Sequence, residues 1–219
     1  MKHLLIATPV YDQSVSVGYC QSLCMTLAAC TKAKIVLSTD YKGGPYIEDN
    51  RNWLVHRFMR SNADAILFVD ADVTWDEKAV VKLYESKYDM CGGAYPIKEE
   101  MSRYPIHLLD TVDGEYRECL YLPGGFVLIR RHVFEKLKPH VPSYTERAFG
   151  NEQVACYYQN VVAGGGRIGE DVEIGNRWRK IGGRIWCLPD IDFEHQGPRS
   201  WTGNLSDYLA ATERTEKAA

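Results

Sequence analysis

Two aspartates separated by one residue, Asp70 and Asp72, follow the apolar run Ala65–Val69. The run is too short for a stable free helix and is typical of a strand buried on both faces. In an extended backbone, residues i and i+2 point to the same side, so the two carboxylates can converge on one point, with the small Ala71 between them. Such a point suits a hard divalent cation. The alternative is that both aspartates only end the strand and cap the next helix.

A second group of candidate residues lies late in the chain. Glu170 and Asp171 open a helix predicted over residues 170–181, and a last strand is predicted over residues 184–188. His195 follows that strand within a short acidic segment. A carboxylate at a helix N-terminus is stabilised in its ionised form by the helix dipole, which is what a general base needs.

Arg51 lies on the same face as Leu54, Val55 and Phe58, near the N-terminus of a helix predicted over residues 48–61. A guanidinium in that position is either paired inside the core or directed into a cleft at the edge of the sheet. Given the anionic ligand inferred below, we favour the cleft, because Arg suits phosphate oxygens.

The elements that would position these residues alternate between strands and helices. Strands are predicted over residues 4–7, 35–38 and 65–69, and a helix follows each of them. This alternation predicts an α/β fold, with a mainly parallel sheet covered by helices on both faces and ligands at the carboxyl ends of the strands. Three of those ends carry polar residues, namely Thr8 to Asp12, Asp40, and Asp70 with Asp72.

Antiparallel strands are expected in the second half of the chain. Asp113-Gly114 separates two strand patterns, residues 106–112 and 115–122, and is a strong hairpin signal. Gly124 and Gly125 then precede another apolar run. These two glycines either allow close approach of the backbone to a ligand or form an ordinary bend.

Three local patterns give further structural expectations. Thr74 and Glu77 form a capping-box pattern for a helix that ends near residue 86. Residues 138–152 have little periodicity and are expected to form a mobile surface loop. Residues 164–169 match G-x-G-x-x-G, but the acidic pair that follows would repel a pyrophosphate, so a dinucleotide site is rejected.

The first helix contains an apolar stripe that is expected to face the core. Its members have the i, i+3, i+4, i+7, i+8 spacing of a buried helix face. They are Cys20, Leu23, Cys24, Leu27 and Ala28. Cysteines on such a stripe are interpreted as small core residues rather than as zinc ligands.

Composition limits the class of protein. With 219 residues, of which 45% are hydrophobic and 25% charged, we expect a single globular domain over residues 1–219. With a net charge of −3 and no long basic run, the sequence lacks the electrostatic footprint of a nucleic-acid-binding protein, although a local basic groove stays open. Seven cysteines without a paired framework, and no signal peptide or membrane-spanning stretch, predict a reducing, cytoplasmic location.

With these residues assembled, the chain resembles the nucleotide-sugar-dependent glycosyltransferases of the GT-A fold, in particular the large inverting family 2 with its many small bacterial and phage enzymes. Four features in the order found in that family carry the resemblance. They are Thr8-Pro9-Val10-Tyr11, Asp70-Ala71-Asp72 after a buried strand, Glu170-Asp171 opening a late helix, and the downstream His195.

The resemblance implies a role for each candidate residue. The implied metal residues are Asp72, Asp70 and His195, with Asp72 as the usual ligand of Mn²⁺ or Mg²⁺ and Asp70 nearer to the ribose or sugar. Asp171 matches the base, and Glu170 orients the acceptor or only caps the helix. The implied nucleotide contacts are Thr8, Pro9, Tyr11, Asp40 and Asp70, and Arg51 is added to them from its position on the predicted helix. The assigned donor-sugar contacts are Tyr95, Lys98, Gly124 and Gly125.

The expected function is a metal-dependent transfer of a sugar from a nucleotide diphosphate sugar, with a uridine diphosphate sugar as the favoured donor, to an acceptor hydroxyl. Residues 1–100 would form the nucleotide-binding half and residues 101–219 the acceptor half. The alternatives are a nucleotidyltransferase or metal-assisted phosphohydrolase on a related fold, and a non-catalytic sugar-nucleotide or glycan-binding module. The acceptor stays open among a glycan, a lipid-linked sugar, a protein, a small molecule and a modified DNA base, and so does the stereochemical outcome. A homodimer also stays open, because the aromatic residues of the second half suit sugar stacking, a core or a dimer surface.

Overall fold

A central eight-stranded sheet organises the computed structural model, which describes residues 2–99, 103–147 and 150–218. The strands in chain order are β1 (His3–Val10), β2 (Val36–Gly43), β3 (Ala65–Val69), β4 (Val73–Trp75), β5 (Met90–Gly92), β6 (Leu108–Asp113), β7 (Tyr116–Cys119), β8 (Phe126–Arg130), β9 (Ser143–Glu146), β10 (Glu152–Ala155), β11 (Val161–Ala163), β12 (Gly166–Ile168), β13 (Ile185–Cys187), β14 (Asp192–Gln196) and β15 (Ser200–Asn204). The helices are α1 (Val17–Lys32), α2 (Ile47–Met59), α3 (Glu77–Glu85), α4 (Arg131–Leu137), α5 (Glu170–Lys180) and α6 (Leu205–Ala218), with a short 3₁₀ helix at Lys138–His140.

The strand order of the large sheet is β2-β1-β3-β8-β5-β13-β7-β6. Six of its eight strands run in one direction, and only β7 and β8 are reversed. Both reversed strands lie in the second half of the chain, where β6 and β7 form the hairpin around Gly114. The predicted mixed α/β fold with a mainly parallel sheet and late antiparallel strands is therefore confirmed.

Helices cover the sheet on both faces, as predicted. Every residue of β3 is fully buried, and its side chains alternate between two hydrophobic layers. Leu67 and Val69 pack in the layer that contains α1 and α3, whereas Ile66 and Phe68 pack in the layer that contains α2, α4 and α5. Burial on both faces explains why β3 is an unbroken apolar run.

A smaller sheet brings the C-terminal part of the chain to the carboxyl edge of β3. Its order is β15-β14-β4, and β14 pairs with β4 so that His195 lies opposite Val73. Because β4 follows Asp72 directly, this pairing places His195 beside Asp72. The spacing of the two residues in the sequence does not indicate this contact.

The orientation predicted for α1 is wrong. Cys20, Cys24 and Leu27 are exposed, and the buried residues are Gly18, Tyr19, Ser22, Thr26 and Cys30. The buried polar groups are satisfied by the neighbouring strand: the Ser22 hydroxyl donates to the Trp75 carbonyl (2.9 Å), and the Trp75 indole donates to Thr26 (2.9 Å). A polar face can therefore be buried without the cost of unpaired groups.

Several local expectations also need correction. Asp76, not Thr74, caps α3, because Thr74 belongs to β4. The expected loop over residues 138–152 contains the 3₁₀ helix, strand β9 and the start of β10, although residues 148 and 149 lie outside the described part. The glycine-rich segment forms the turn of the β11–β12 hairpin, with positive φ at Gly164 and Gly165.

Candidate active site at the carboxyl edge of the sheet

A cavity of about 680 Å³ opens at the carboxyl ends of β1 and β3. Its walls are the loop after β1, the segment before α2, the turn after β3 and the end of β14. The lining residues are Pro9, Val10, Tyr11, Asp12, Ser14, Val15, Ser16, Gly44, Pro45, Ile47, Asn50, Asp70, Ala71, Asp72, Gln196 and Gly197. The volume is within the range of small-molecule sites in proteins.

The Asp70-Ala71-Asp72 turn is held by backbone hydrogen bonds from three different parts of the chain. Each bond fixes a different peptide group of the turn, so the two carboxylates are carried on a rigid support. The bonds run from Asp70 N to Gly125 O (3.1 Å), from Ser16 N to Ala71 O (2.8 Å) and from Gln196 N to Asp72 O (2.8 Å).

Both carboxylate oxygens of Asp70 have protein partners. Arg51 Nη2 donates to Oδ1 (3.0 Å), and the Tyr95 hydroxyl donates to Oδ2 (2.9 Å). Burial and the nearby Asp70 hold the pKa of Tyr95 well above its usual value, which keeps that hydroxyl protonated as the donor. Asp70 is therefore oriented by its neighbours, and each of its oxygens keeps a lone pair beyond the hydrogen bond that it accepts.

Arg51 is paired in the interior, so the expectation that it points into an open cleft is wrong. Only 2% of the residue is exposed. Its Nη1 donates to Glu170 at the start of α5, its Nη2 donates to Asp70, and its guanidinium lies 5.7 Å from the centre of the Tyr158 ring. Two carboxylates converge on one buried cation, and the planar fork of Arg is able to bridge them.

Gly124 and Gly125 make space for this buried network. Both residues are buried. A Cβ at Gly124 would collide with the Arg51 guanidinium, and a Cβ at Gly125 would collide with Asp70 and the Tyr95 hydroxyl. The close approach expected from the glycines is thus real, and the groups that approach them are the side chains of Arg51, Asp70 and Tyr95. In this arrangement Tyr95 also meets Asp70 rather than the open cavity.

Asp72 faces a different set of partners at the cavity wall. Lys98 Nζ forms an ion pair with its Oδ2, and His195 Nε2 lies 3.6 Å from its Oδ1. Burial raises the pKa of Asp72, but hydrogen bonds with His195 and Lys98 outweigh that effect and lower the pKa to about 2. Asp72 is consequently an anion at any physiological pH.

The hydrogen bond of the second ring nitrogen fixes the orientation of His195. Nδ1 lies 2.9 Å from the Pro96 carbonyl, and because a carbonyl only accepts, Nδ1 carries a proton. A neutral imidazole then presents the lone pair of Nε2 to the Asp72 carboxylate.

Asp72 and His195 could supply two protein ligands to a divalent cation, and Lys98 would then share the Asp72 carboxylate with it. Within residues 2–99, 103–147 and 150–218, no cluster of three or more His, Cys, Asp or Glu side chains is arranged around one point. One carboxylate oxygen and one oriented imidazole leave most coordination positions to other oxygens. Mg²⁺ in proteins is typically bound by oxygen atoms, through one or two carboxylates together with substrate phosphates.

The two acidic residues at the start of α5 have different surroundings. Glu170 is buried against Arg51; burial raises the pKa of Glu170, Arg51 opposes that shift, and Asp171 adds to it. Asp171 is half-buried, and its Oδ1 accepts from Val172 N (2.8 Å). The other oxygen of Asp171 has no hydrogen-bond partner among the described residues, and Asp171 is not among the residues that line the cavity.

The structure brings some predicted nucleotide contacts to the cavity and not others. Pro9, Tyr11 and Asp70 line it. Thr8 does not, because it is buried and its hydroxyl lies 2.6 Å from that of Tyr19. Asp40 does not either, because β2 continues to Gly43 instead of ending there, and its carboxylate pairs with Arg57 (2.8 Å).

Four polar residues that line the cavity were not among the site residues predicted from the sequence. They are Ser14, Ser16, Asn50 and Gln196. Ser16 is the N-cap of α1, and this position could have been recognised from a small hydroxyl residue before an apolar helix. Gln196 gave no such signal, since only the pairing of β14 with β4 brings it to the cavity.

The fold and the site define a mixed α/β protein with an acidic ligand cavity at the carboxyl edge of its sheet. No protein-family model matches the sequence, and no curated protein matches it significantly. In the described part of the chain, no helix has the length and apolar character needed to span a membrane.

Solved structures do resemble the chain. A197 from STIV superposes with a TM-score of 0.57 and 19% sequence identity, over 94% of this chain and 91% of that protein. A glycosyltransferase involved in the glycosylation of the major capsid of PBCV-1 gives a TM-score of 0.37 and 9% identity, over 62% of this chain and 64% of that protein. UDP-glucose pyrophosphorylase complexed with UDP-glucose gives a TM-score of 0.47 and 10% sequence identity, over 100% of both chains. The likeness to A197 concerns the fold alone, and the other two are too weak to bear on this chain's activity.

Proposed function

We propose that the chain is a metal-dependent glycosyltransferase of the GT-A type, which transfers a sugar from a nucleotide diphosphate sugar to an acceptor hydroxyl. The observation that carries the proposal is the meeting of Asp72 and His195 at the wall of a cavity of about 680 Å³. A uridine diphosphate sugar is the favoured donor on the sequence resemblance.

The charge of the cavity supports a role for a divalent cation. The charged side chains among its described lining residues are Asp12, Asp70 and Asp72, with no Lys or Arg. Asp72 and Asp70 are already paired, with Lys98 and Arg51, so a divalent cation beside Asp72 would add positive charge for a diphosphate to a site that is close to neutral. Mn²⁺ or Mg²⁺ held by Asp72 and His195 would neutralise the charge that develops on the departing diphosphate.

Other lining groups suit the remaining parts of a nucleotide sugar. Tyr11 is 79% exposed and offers a ring face for a nucleobase. Ser14 and Ser16 lie before α1, whose first turn contains no acidic residue and therefore tolerates an anion. Asp70, fixed by Arg51 and Tyr95, is left to orient the ribose or sugar.

Asp171 is assigned the role of general base. Its free oxygen would accept the proton of the acceptor hydroxyl while the hydroxyl oxygen attacks the anomeric carbon and the nucleotide diphosphate leaves. Glu170 is less suited to that role, because it is committed to the buried pair with Arg51. Glu170 instead anchors the start of α5, which positions Asp171.

Calorimetric titration with uridine diphosphate tests the donor site. Binding should be tightened by Mn²⁺, and this dependence should be lost in Asp72→Ala because the cation loses its carboxylate. Asp40→Asn is the matched control, since Asp40 pairs with Arg57 outside the cavity lining. Metal-independent binding that is unchanged in Asp72→Ala would overturn the proposed site.

The products distinguish the enzyme classes. Incubation with a panel of nucleotide sugars should release the nucleoside diphosphate and free sugar by slow transfer to water. Release of pyrophosphate from a nucleoside triphosphate and a sugar phosphate would instead identify a nucleotidyltransferase. Tight binding of the donor without any turnover, both with and without candidate acceptors, would identify a binding module.

A further inference from the structure

Helix α1 is inverted relative to an ordinary surface helix. Its inward face carries hydroxyl groups: Tyr19 contacts the hydroxyl of Thr8, and Ser22 and Thr26 bond to Trp75. A helix on the surface of a globular protein normally turns its apolar side inward and its polar side to water. Here the inward polar groups have hydrogen-bond partners inside the protein, and most apolar residues of α1 lie on its solvent-exposed side.

The outward side of α1 is mostly apolar, with Gln21 and Thr31 as exposed polar residues, and is uncharged over most of its length. Residues 17–31 include no Asp, Glu, Lys or Arg, and Lys32 is the first charged residue of the helix. The exposed apolar residues recur at helical spacing and form one stripe about 17 Å long, at 1.5 Å per residue. We call this stripe the α1 outer face; it comprises Val17, Cys20, Cys24, Leu27 and Ala28, with Met25 beside it.

A contiguous apolar face is stronger evidence of an interaction site than isolated exposed apolar residues are. Single apolar side chains on a surface are common, whereas contiguous apolar patches mark interaction sites. Val17 is 73% exposed and Leu27 is 53% exposed. By contrast, Val112 and Val162 are single exposed valines on two different hairpins.

We propose that the α1 outer face is the contact surface of a homodimer, in which α1 packs against α1 of a second copy about a two-fold axis. In such an interface the same patch of both subunits is in contact, so a charged residue near the two-fold axis would lie close to the same charge on the second copy. A face without charges avoids that repulsion. The uncharged, apolar α1 outer face therefore complements itself.

A membrane surface is a poorer occupant of the same face. Helices that lie in the membrane interface are rich in Lys and Arg on the side next to the lipid headgroups. Among the exposed residues of α1, only Lys32 is basic. The net charge of −3 adds no attraction to anionic lipids. The second copy is thus the occupant that the charge distribution favours.

Sedimentation equilibrium of the full chain under reducing conditions tests the proposal. The wild-type protein should have twice the mass of one chain in the micromolar range. Leu27→Glu and Cys24→Glu should each weaken self-association by at least about tenfold, because a charge would be buried in an apolar contact. Val162→Glu is the matched control: Val162 is also exposed and apolar but lies on β11, and its substitution should leave the mass unchanged.

Circular dichroism and thermal melting establish that each variant is folded, which is expected because all three positions are exposed. A wild-type protein that stays monomeric overturns the proposal, as does a dimer that survives both α1 substitutions. If the monomer instead binds phosphatidylcholine vesicles through Leu27, the face is a membrane contact and the proposal is equally wrong. None of these outcomes depends on the enzymatic activity.

Discussion

The guanidinium of Arg51 lies 3.0 Å from the carboxylate of Asp70 and joins it to Glu170, which is 119 residues further along the chain than Arg51. The side chain of Arg51 is 3% exposed, and that of Asp70 is 23% exposed. This bridge connects the turn after β3 to the start of α5. In the proposed enzyme it therefore connects the donor side of the site to the base.

Replacing Arg51 with Met should destabilise the protein strongly. Two buried carboxylates would lose their cation, and removing one partner of a buried ion pair typically costs about 3–5 kcal/mol of unfolding free energy. Arg57→Met is the control, because its pair with Asp40 is more exposed and is expected to contribute about 0–1 kcal/mol. Urea denaturation at pH 7 measures both changes, and equal losses would contradict the special role of Arg51.

Gly125→Ala should distort the same network from the opposite side. Its new Cβ would collide with Asp70 and Tyr95, which are themselves hydrogen-bonded and cannot both move away. We expect a loss of about 1–3 kcal/mol of unfolding free energy, together with weaker nucleotide binding. Gly166→Ala is the matched control on β12, where a Cβ would meet only Ala163 O at 3.9 Å. A neutral Gly125→Ala would show that the network tolerates displacement.

The parts of this fold that the sequence predicts are those with local causes. The apolar run of β3 requires burial on both faces, Asp113-Gly114 requires a tight turn, and the acidic start of α5 follows from the helix dipole. Each of these signals lies within a few residues of the element that it specifies, so each could be recognised without knowledge of the tertiary structure.

The parts that the sequence does not predict depend on partners far along the chain. The hydrophobic periodicity of α1 indicated the wrong buried face, because Trp75 satisfies Ser22 and Thr26 and so makes a polar face suitable for burial. His195 gained its place beside Asp72 only through the pairing of β14 with β4. Propensity and periodicity contain no information about either contact.

The acid stability of the protein should depend on Glu118. A hydrogen bond from Arg184 lowers the pKa of Glu118 below its ordinary value of 4.5, despite the opposing effect of burial. A carboxyl whose pKa is lower in the folded state stabilises that state above its unfolded pKa and loses this contribution as the pH falls through the folded pKa. The unfolding free energy of wild type minus that of Glu118→Gln should thus be constant near neutrality and decline below about pH 4.5.

A denaturation series across pH measures this difference, and Arg184→Met provides its control. In that background Glu118 loses its closest donor, although Arg179 Nη1 still lies 3.5 Å away. The effect of Glu118→Gln should consequently shrink. A difference that grows as the pH falls would have the wrong sign for a stabilised carboxylate.

Asp171→Asn should separate catalysis from binding. The amide keeps the size of the side chain and can still accept a hydrogen bond from Val172 N, so α5 should remain folded. It cannot take a proton from the acceptor hydroxyl, and loss of a general base typically lowers turnover by about 10²–10⁴-fold. Affinity for the nucleotide diphosphate with Mn²⁺ should be unchanged, because Asp171 is not among the residues that line the cavity.

Glu173→Gln is the matched control for that experiment. Glu173 lies in the same acidic first turn of α5, but its carboxylate pairs with Arg177 (2.8 Å), so its loss should leave turnover within about twofold of the wild-type value. Donor turnover and calorimetric titration should be measured on the same preparations of both variants. If Asp171→Asn transfers sugar at the wild-type rate, the base lies elsewhere; if both variants fail equally, the acidic first turn acts through the stability of α5 rather than through proton transfer.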